Sequence, residues 1–334
     1  MGNKELLKLM LKDSVGSANY QYDDTFLRLK ERLLKDYEGK SLKDIEGSSK
    51  ISTDYGDVFK ITNKENINFN LNDCSFKESL SCNLKLVPGV GINTELKLKE
   101  KGFNNINSLK NHDKYSTNAL KISKIIEDNT YFEIYDLLTN NKYSKECKGN
   151  VLKSASLVDY ENFKFMDIET LGLSNCPLIL IGVCEIKNNK IISNQYLLED
   201  ITQEKAAIFS YLSNIDEDSI HVTYNGASFD IPFIKNRLNY FDLDYNLDLP
   251  HLDLIHFARN LWKDTLPNCK LTTVEEEIFD TKRIDDVPGS EIPDYYNTYI
   301  KENNIGPLMP IIDHNKQDII SLAYFLMKMY DESI

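Results

Sequence analysis

The stretch FKFMDIETLGL, residues 163–173, constrains this chain more than any other. Phe163 to Met166 is a short apolar run of the kind that forms a buried strand. It ends in two carboxylates, Asp167 and Glu169, with Ile168 between them. Side chains two apart on a strand share a side, so both acids face one spot while Ile168 faces the core. At about 4 Å and an effective dielectric of about 20, two such charges repel by on the order of 4 kcal/mol. A pair of this kind calls for a cation; a solvated D-x-E at a strand end is the plainer alternative.

A chain of 334 residues has room for one large domain or two to three smaller ones. The N-terminal MGNKELLKLMLKD scatters charge through its apolar residues, unlike a signal peptide, and Leu6 stands where N-myristoylation requires Ser or Thr. The longest apolar run, near Pro177 to Ile186, is too short to span a bilayer. The expectation is a soluble, cytoplasmic protein with no membrane partner. Six dispersed cysteines without a C-x-x-C pair argue for reduced thiols and against a structural zinc. The net charge of −13 is uneven: residues 1–150 carry 24 Lys+Arg and 22 Asp+Glu, the remainder 15 against 30. The acidic second part is unsuited to wrapping nucleic acid electrostatically, but it suits an acidic metal site whose cations mediate contact with phosphates.

The chain divides into four segments. Residues 1–80 form an N-terminal region of unknown role, with helices expected at 5–11 and 25–37 and a short strand at 54–62. In residues 84–126, LVPGVGINTELKLKEKGFNNINSL puts Gly89 and Gly91 in a tight turn whose amides can approach a phosphate closely. A helix at 93–101 follows, and its N-terminus favours anions. Lys85 to Ile125 holds eight lysines, Lys97 among them, and three acids. This segment resembles a helix-hairpin-helix module, which implies a grip on nucleic-acid backbone; a packing or protein-contact role is the plainer alternative. Residues 127–159 read as a connector.

Residues 160–334 alternate in α/β order. Strands are expected at 164–169, 178–186 and 190–198, the last two joined by the turn Lys187-Asn188-Asn189. Helices at 203–213, 229–240, 254–263, 273–279 and 313–330 follow, with a strand at 219–224 before the second of them. An antiparallel meander and then strand–helix alternation is the element order of a ribonuclease-H-like fold, an α/β mixed sheet flanked by helices, here preceded by a small, mainly helical N-terminal region.

Two further acids complete the pattern. Tyr224-Asn225-Gly226-Ala227-Ser228-Phe229-Asp230 follows a buried strand and opens a helix, and the last helix carries His314-Asn315-Lys316-Gln317-Asp318. Residues i and i+4 share a helical face, so His314 and Asp318 point to one place. DIETLGL, N-x3-F-D and a terminal His-x3-Asp together resemble the three motifs of the DEDD (DnaQ-like) 3′–5′ exonuclease superfamily. HLDLIHFARNLWKDTLPNCKLTTVEEEIFD, DDVPGSEIP and HNKQDIISL resemble, more closely, its YprB-type ribonuclease-H-like domain.

The resemblance implies that Asp167, Glu169, Asp230 and Asp318 hold two Mg²⁺ or Mn²⁺ ions, for which oxygen-only ligands are suited. It implies hydrolysis of DNA or RNA from a 3′ end by a two-metal mechanism, with His314 orienting or deprotonating the attacking water. Thr170, Leu171, Asn225 and Phe229 would contact substrate. Histidine-bearing relatives of this kind place the histidine five residues before the last acid; His314 stands four before, the spacing of tyrosine-bearing ones. A histidine that caps the helix or bonds the preceding loop is the alternative. A nucleic-acid-binding module without efficient catalysis and a structure-specific endonuclease are the competing functions. Elsewhere, Asp253 reads as a helix N-cap, His251 and His256 as packing or surface groups, Trp262 as core, and Glu275-Glu276-Glu277 as a solvated helix face.

Overall fold

The computed structural model describes residues 24–71, 75–128, 131–140 and 148–333. The helix expected at 5–11 lies outside them. The chain opens with α1 (Asp24–Asp36) and the hairpin β1 (Ser48–Thr53) and β2 (Gly56–Asn66). A helical stretch follows, formed by α2 (Phe76–Ser81), α3 (Ile92–Glu100), α4 (Ser116–Asp128), α5 (Tyr131–Thr139) and α6 (Lys148–Lys153). Next come the meander β3 (Phe163–Thr170), β4 (Leu178–Lys187) and β5 (Lys190–Leu197), then α7 (Glu204–Leu212), β6 (Ile220–Thr223), α8 (Asp230–Tyr240) and β7 (His251–Asp253). The remainder is helical: α9 (Leu254–Trp262), α10 (Leu271–Phe279), α11 (Ile292–Glu302) and the 26-residue α12 (Leu308–Ser333).

The strands make one seven-stranded mixed sheet, ordered β1-β2-β5-β4-β3-β6-β7. The first five in that order pair antiparallel, and β3, β6 and β7 run parallel. This is the helix-flanked mixed sheet that the sequence implies. Its extent differs from the sequence-based division, because the sheet does not begin at residue 160. β2 pairs with β5 over eight positions, from Phe59 opposite Leu197 to Asn66 opposite Lys190, and so brings residues 48–66 onto its edge. β1, SSKIST, lacks a hydrophobic run because it is the edge strand, and only Ile51 among its apolar positions is partly covered. The span read as a connector contributes Tyr131, Ile134, Leu138, Leu152 and Ala155 to the core.

Alternation along β3 divides the core. Phe163 and Phe165 face one layer, packed with α2–α6, α9 and the C-terminal part of α12. Met166 and Ile168 face the other, packed with α1, α7, α8, α11 and the first turns of α12. Asp167 and Glu169 share the parity of Phe163 and Phe165, so they emerge where the first layer ends.

If the edge hairpin belongs to the same cooperative unit, truncating Ile61, which is 2% exposed on β2, should destabilise the entire sheet. We expect Ile61→Ala to cost about 2–5 kcal/mol in a single urea transition. A separate early transition, with the main one unmoved, would contradict this.

Candidate active site

Asp167 lies opposite Gly182 on β4, and an irregularity between Glu169 and Thr170 ends the regular ladder there. α12 crosses this end of the strand. Asn315, wholly buried, donates through Nδ2 to the Asp167 carboxylate (2.9 Å) and carbonyl (3.1 Å). Its Oδ1 accepts from Gln195 Nε2 at 3.0 Å, and the same amide donates to the Ile312 carbonyl at 2.8 Å. A Cβ on Gly182 would stand 2.1 Å from Asn315 Oδ1. The missing side chain is what lets the helix approach this closely.

Asp230 is delivered by the turn after β6. Asn225 adopts a left-handed conformation (φ 71°), which Asn tolerates better than most residues. The Asp253 carboxylate accepts the amides of Asn225 (2.6 Å) and Ala227 (3.1 Å), and Thr223 Oγ1 accepts that of Gly226 (3.1 Å). A side chain on Gly226 would collide with Thr223. Asp253 therefore occupies the N-cap position of α9 without capping it; its carboxylate clamps the turn instead. The Asp230 carboxylate in turn accepts the amide of Ile168 at 3.2 Å, the residue between the first two acids.

On α12, His314 Nε2 lies 3.7 Å from Asp318 Oδ2, as the four-residue spacing predicts. The ring also bonds the preceding loop, with Nδ1 2.6 Å from Asp286 Oδ1. Arg283, on the same loop, binds Glu275 through Nε (2.6 Å) and Asp318 through Nη2 (2.5 Å). Glu275 is 1% exposed. The reading of all three glutamates as a solvated face therefore fails at its first member, whose charge is buried against Arg283. Asn315, Gln195, Glu275, Arg283 and Asp286 were all missed as site residues in the sequence; the one signal for Asn315, Asp286 and Glu275 was that they lie within the stretches that carry the resemblance, and Gln195 and Arg283 had none.

The electrostatics are those of a crowded anionic cluster. Burial, then the charges of Asp318, Glu169 and Asp230, push the Asp167 carboxyl well above its usual range. Burial raises Glu169 to about 8 and Asp230 to about 7, and it also raises Asp318 against the pull of His314 and Arg283. For His314, burial opposes the charge, but the Asp286 hydrogen bond and the carboxylates of Asp318 and Glu169 lift it to about 9. Glu169 Oε1 is buried without a hydrogen-bond partner.

An oxygen-only donor set with an orphaned carboxylate oxygen fits a hard divalent cation. Among the described residues no three His, Cys, Asp or Glu side chains are disposed to hold one ion as they stand. Arg283 occupies Oδ1 of Asp318, and Asn315 occupies Oδ2 of Asp167.

The other candidates are dispersed. The Thr170 hydroxyl donates to the Gly172 carbonyl (2.7 Å), and Leu171 is buried, which leaves it little surface for a nucleotide. Phe229 is half-buried, its ring 5.6 Å from that of Phe233. Gly89 (φ 89°) sits in an exposed turn, Gly91 precedes α3, and Lys97 is exposed on that helix. Trp262 is core and donates to Glu332; His251 bonds Thr223, and His256 is exposed.

A family model described as the RNase_H superfamily matches residues 164–330. The chain belongs to the RNase H superfamily. It is 35% identical over 182 residues to the protein YprB of Bacillus subtilis (strain 168), covering 53% of this chain and 44% of YprB. It is 25% identical over 145 residues to a DNA polymerase of Methanocaldococcus jannaschii, covering 36% of this chain and 9% of the polymerase. The chain thus spans less than half the length of either relative. The matched region is a nuclease-type RNase H-like domain. No helix among the described residues is long and apolar enough to cross a membrane.

The cluster makes stability depend on pH. Glu169 and Asp230 ionise near their ordinary values when unfolded but resist ionisation when folded, so stability falls as pH rises from about 4 toward 8. The raised His314 adds stability that is full below about 6.5 and lost as pH rises through about 9. Asp286, held low, ionises in both states across this window and adds no slope. Melting temperature in EDTA should therefore fall from pH 5 to pH 9, and Glu169→Gln should flatten the fall. A pH-independent melting temperature would refute this account of the cluster.

Proposed function

We propose that this chain is a divalent-metal-dependent nuclease that works as a 3′–5′ exonuclease on DNA or RNA. The supporting observation is that Asp167, Glu169, Asp230 and Asp318, from three separate elements, lie close enough that the carboxyls of Asp167, Glu169 and Asp230 are each held up by burial and then by charges of others of the four. Structural carboxylates in a core are paired with cations. Here four acids meet one arginine and one histidine, and one oxygen of Glu169 has no partner. Bound Mg²⁺ or Mn²⁺ would supply the missing positive charge and polarise the scissile phosphodiester.

The chain's own groups do the rest. Asn315 fixes the Asp167 rotamer, the Asp253-clamped turn fixes Asp230, and His314 presents a ring nitrogen to the acid side of the site. Purified protein should shorten a 3′-labelled oligonucleotide with Mg²⁺ or Mn²⁺ and stop with EDTA. Asp167→Ala and Asp230→Ala should each lose at least about 100-fold in rate, the scale of several kcal/mol of charge stabilisation, while remaining folded. Cutting of a covalently closed single-stranded circle would favour an endonuclease. Cleavage that survives both substitutions would end the proposal.

One observation favours a second reading, a nucleic-acid-binding module with weak catalysis: Arg283 holds the last acid, Asp318. That reading requires binding without turnover whatever metal is supplied. Both readings give the helix-hairpin-helix-like segment the same part. Its turn at Gly89 and Gly91 and its exposed Lys97 would grip phosphates without reading bases. Lys97→Ala should weaken binding alike for all sequences and reduce the slope of log affinity against log salt by about 0.7–0.9. An unchanged slope would remove this segment from the interface.

A further inference from the structure

Asp286 lies on the loop between α10 and α11, 28 residues before His314, yet its Oδ1 is 2.6 Å from His314 Nδ1. Two lone pairs cannot face each other at that distance, so Nδ1 carries the hydrogen and Asp286 accepts it. Arg283 Nη1, 3.3 Å from the same ring nitrogen, finds no lone pair there; its charge is directed at Asp318 and, at 3.9 Å, at Asp286. With Nδ1 so occupied, the lone pair of the neutral ring sits on Nε2, the atom on the Asp318 side. The Asp286 side chain is 24% exposed, so it is a hydrogen-bonding partner more than a packing element. The loop under it is fixed by the buried Val287 and by Arg283 bound to the buried Glu275.

We propose that Asp286 is a positioning residue for His314, holding the ring in the one orientation that keeps Nδ1–H on Asp286 and turns Nε2 toward Asp318 and the other acids. The proposal rests on the nuclease reading and deepens it. The ring's neutral form is the minority at neutral pH because, against burial, the surrounding carboxylates lift the ring to about 9. That form takes the water's proton at Nε2 as the water oxygen bonds to phosphorus and the bond to the leaving 3′ oxygen breaks. The resulting imidazolium is held by Asp286, and the leaving oxygen takes a proton from solvent. The arrangement has the logic of an acid–histidine pair in which the carboxylate orients the base without being protonated itself.

The test uses the full chain. A His–carboxylate hydrogen bond of this length gives a strongly downfield Nδ1 proton in ¹H NMR of ¹⁵N-histidine-labelled protein. With five histidines in the chain, loss of the signal in His314→Ala assigns it. We expect the signal in the wild type and its disappearance in Asp286→Ala. Kinetically, Asp286→Ala should lower kcat about 10- to 100-fold with KM unchanged, a fraction of what a general base supplies. Asp286→Glu should restore part of it. In a His314→Ala background, Asp286→Ala should cost nothing further.

Absence of the downfield proton from the wild type, its persistence in Asp286→Ala, or the same fold-loss with and without His314 would overturn the proposal. The two readings fail separately. A chain with the signal intact that cleaves no oligonucleotide sinks the nuclease function and upholds Asp286 as the group that orients the ring.

Discussion

Mutual repulsion among carboxylates held out of water at the end of β3 is the constraint around which the domain is arranged. Burying charge without a partner is prohibitive, and breaking one partner from a buried pair typically costs about 3–5 kcal/mol. The groups that relieve this cluster come from all over the chain. Asn315 gives Asp167 a donor, the Ile168 amide gives one to Asp230, and Arg283 and His314 bring positive charge to Asp318. Arg283 also ties Glu275 of α10 to α12, so one guanidinium fastens two helices and a loop over the acids. A fold that stabilises itself would not gather these acids. Their gathering is intelligible as a site that needs a cation, with Arg283 as the resident one.

The height of α12 above the sheet follows from a single absent side chain. Gly182 faces Asp167 across the β3–β4 ladder, and any Cβ there would displace Asn315. With Asn315 seated between Asp167 and Gln195, the helix rotation is set. His314 and Asp318 then fall on the loop side, while Ile319 and Leu322 enter the core. Placement of the face carrying His314 and Asp318 and packing of the hydrophobic face are thus one event, because a helix cannot turn one face without turning the other.

Much of this was legible in the sequence where geometry is local. The two-residue period of a strand put Asp167 and Glu169 on one side, and the helical period put His314 beside Asp318. The partners of those residues were not legible, because they depend on tertiary approach. Glu275 looks like its solvated neighbours Glu276 and Glu277, and only the arrival of Arg283 from beyond the helix makes its burial tolerable. Asp253 looks like an N-cap, and nothing local reveals that its carboxylate reaches back to the amides of residues 225 and 227. β1 was unreadable for a related reason: an edge strand has no second neighbour and no need of an apolar run.

The hairpin and the helical stretch also change how the N-terminal half relates to the acids. Leu84, Leu86, Val90 and Leu98, from around the Gly89 turn, belong to the same hydrophobic layer as Phe163, Phe165 and Ile319. The Tyr160 hydroxyl accepts the amide of Leu71, and the Tyr135 hydroxyl donates to the carbonyl of His251, the first residue of β7. A module on a flexible tether acts through an effective concentration set by linker length. A module sharing a core acts at fixed reach. A phosphate held at Gly89–Gly91 would therefore lie at a set distance from Asp167, and the length of strand between grip and acids would be built into the fold.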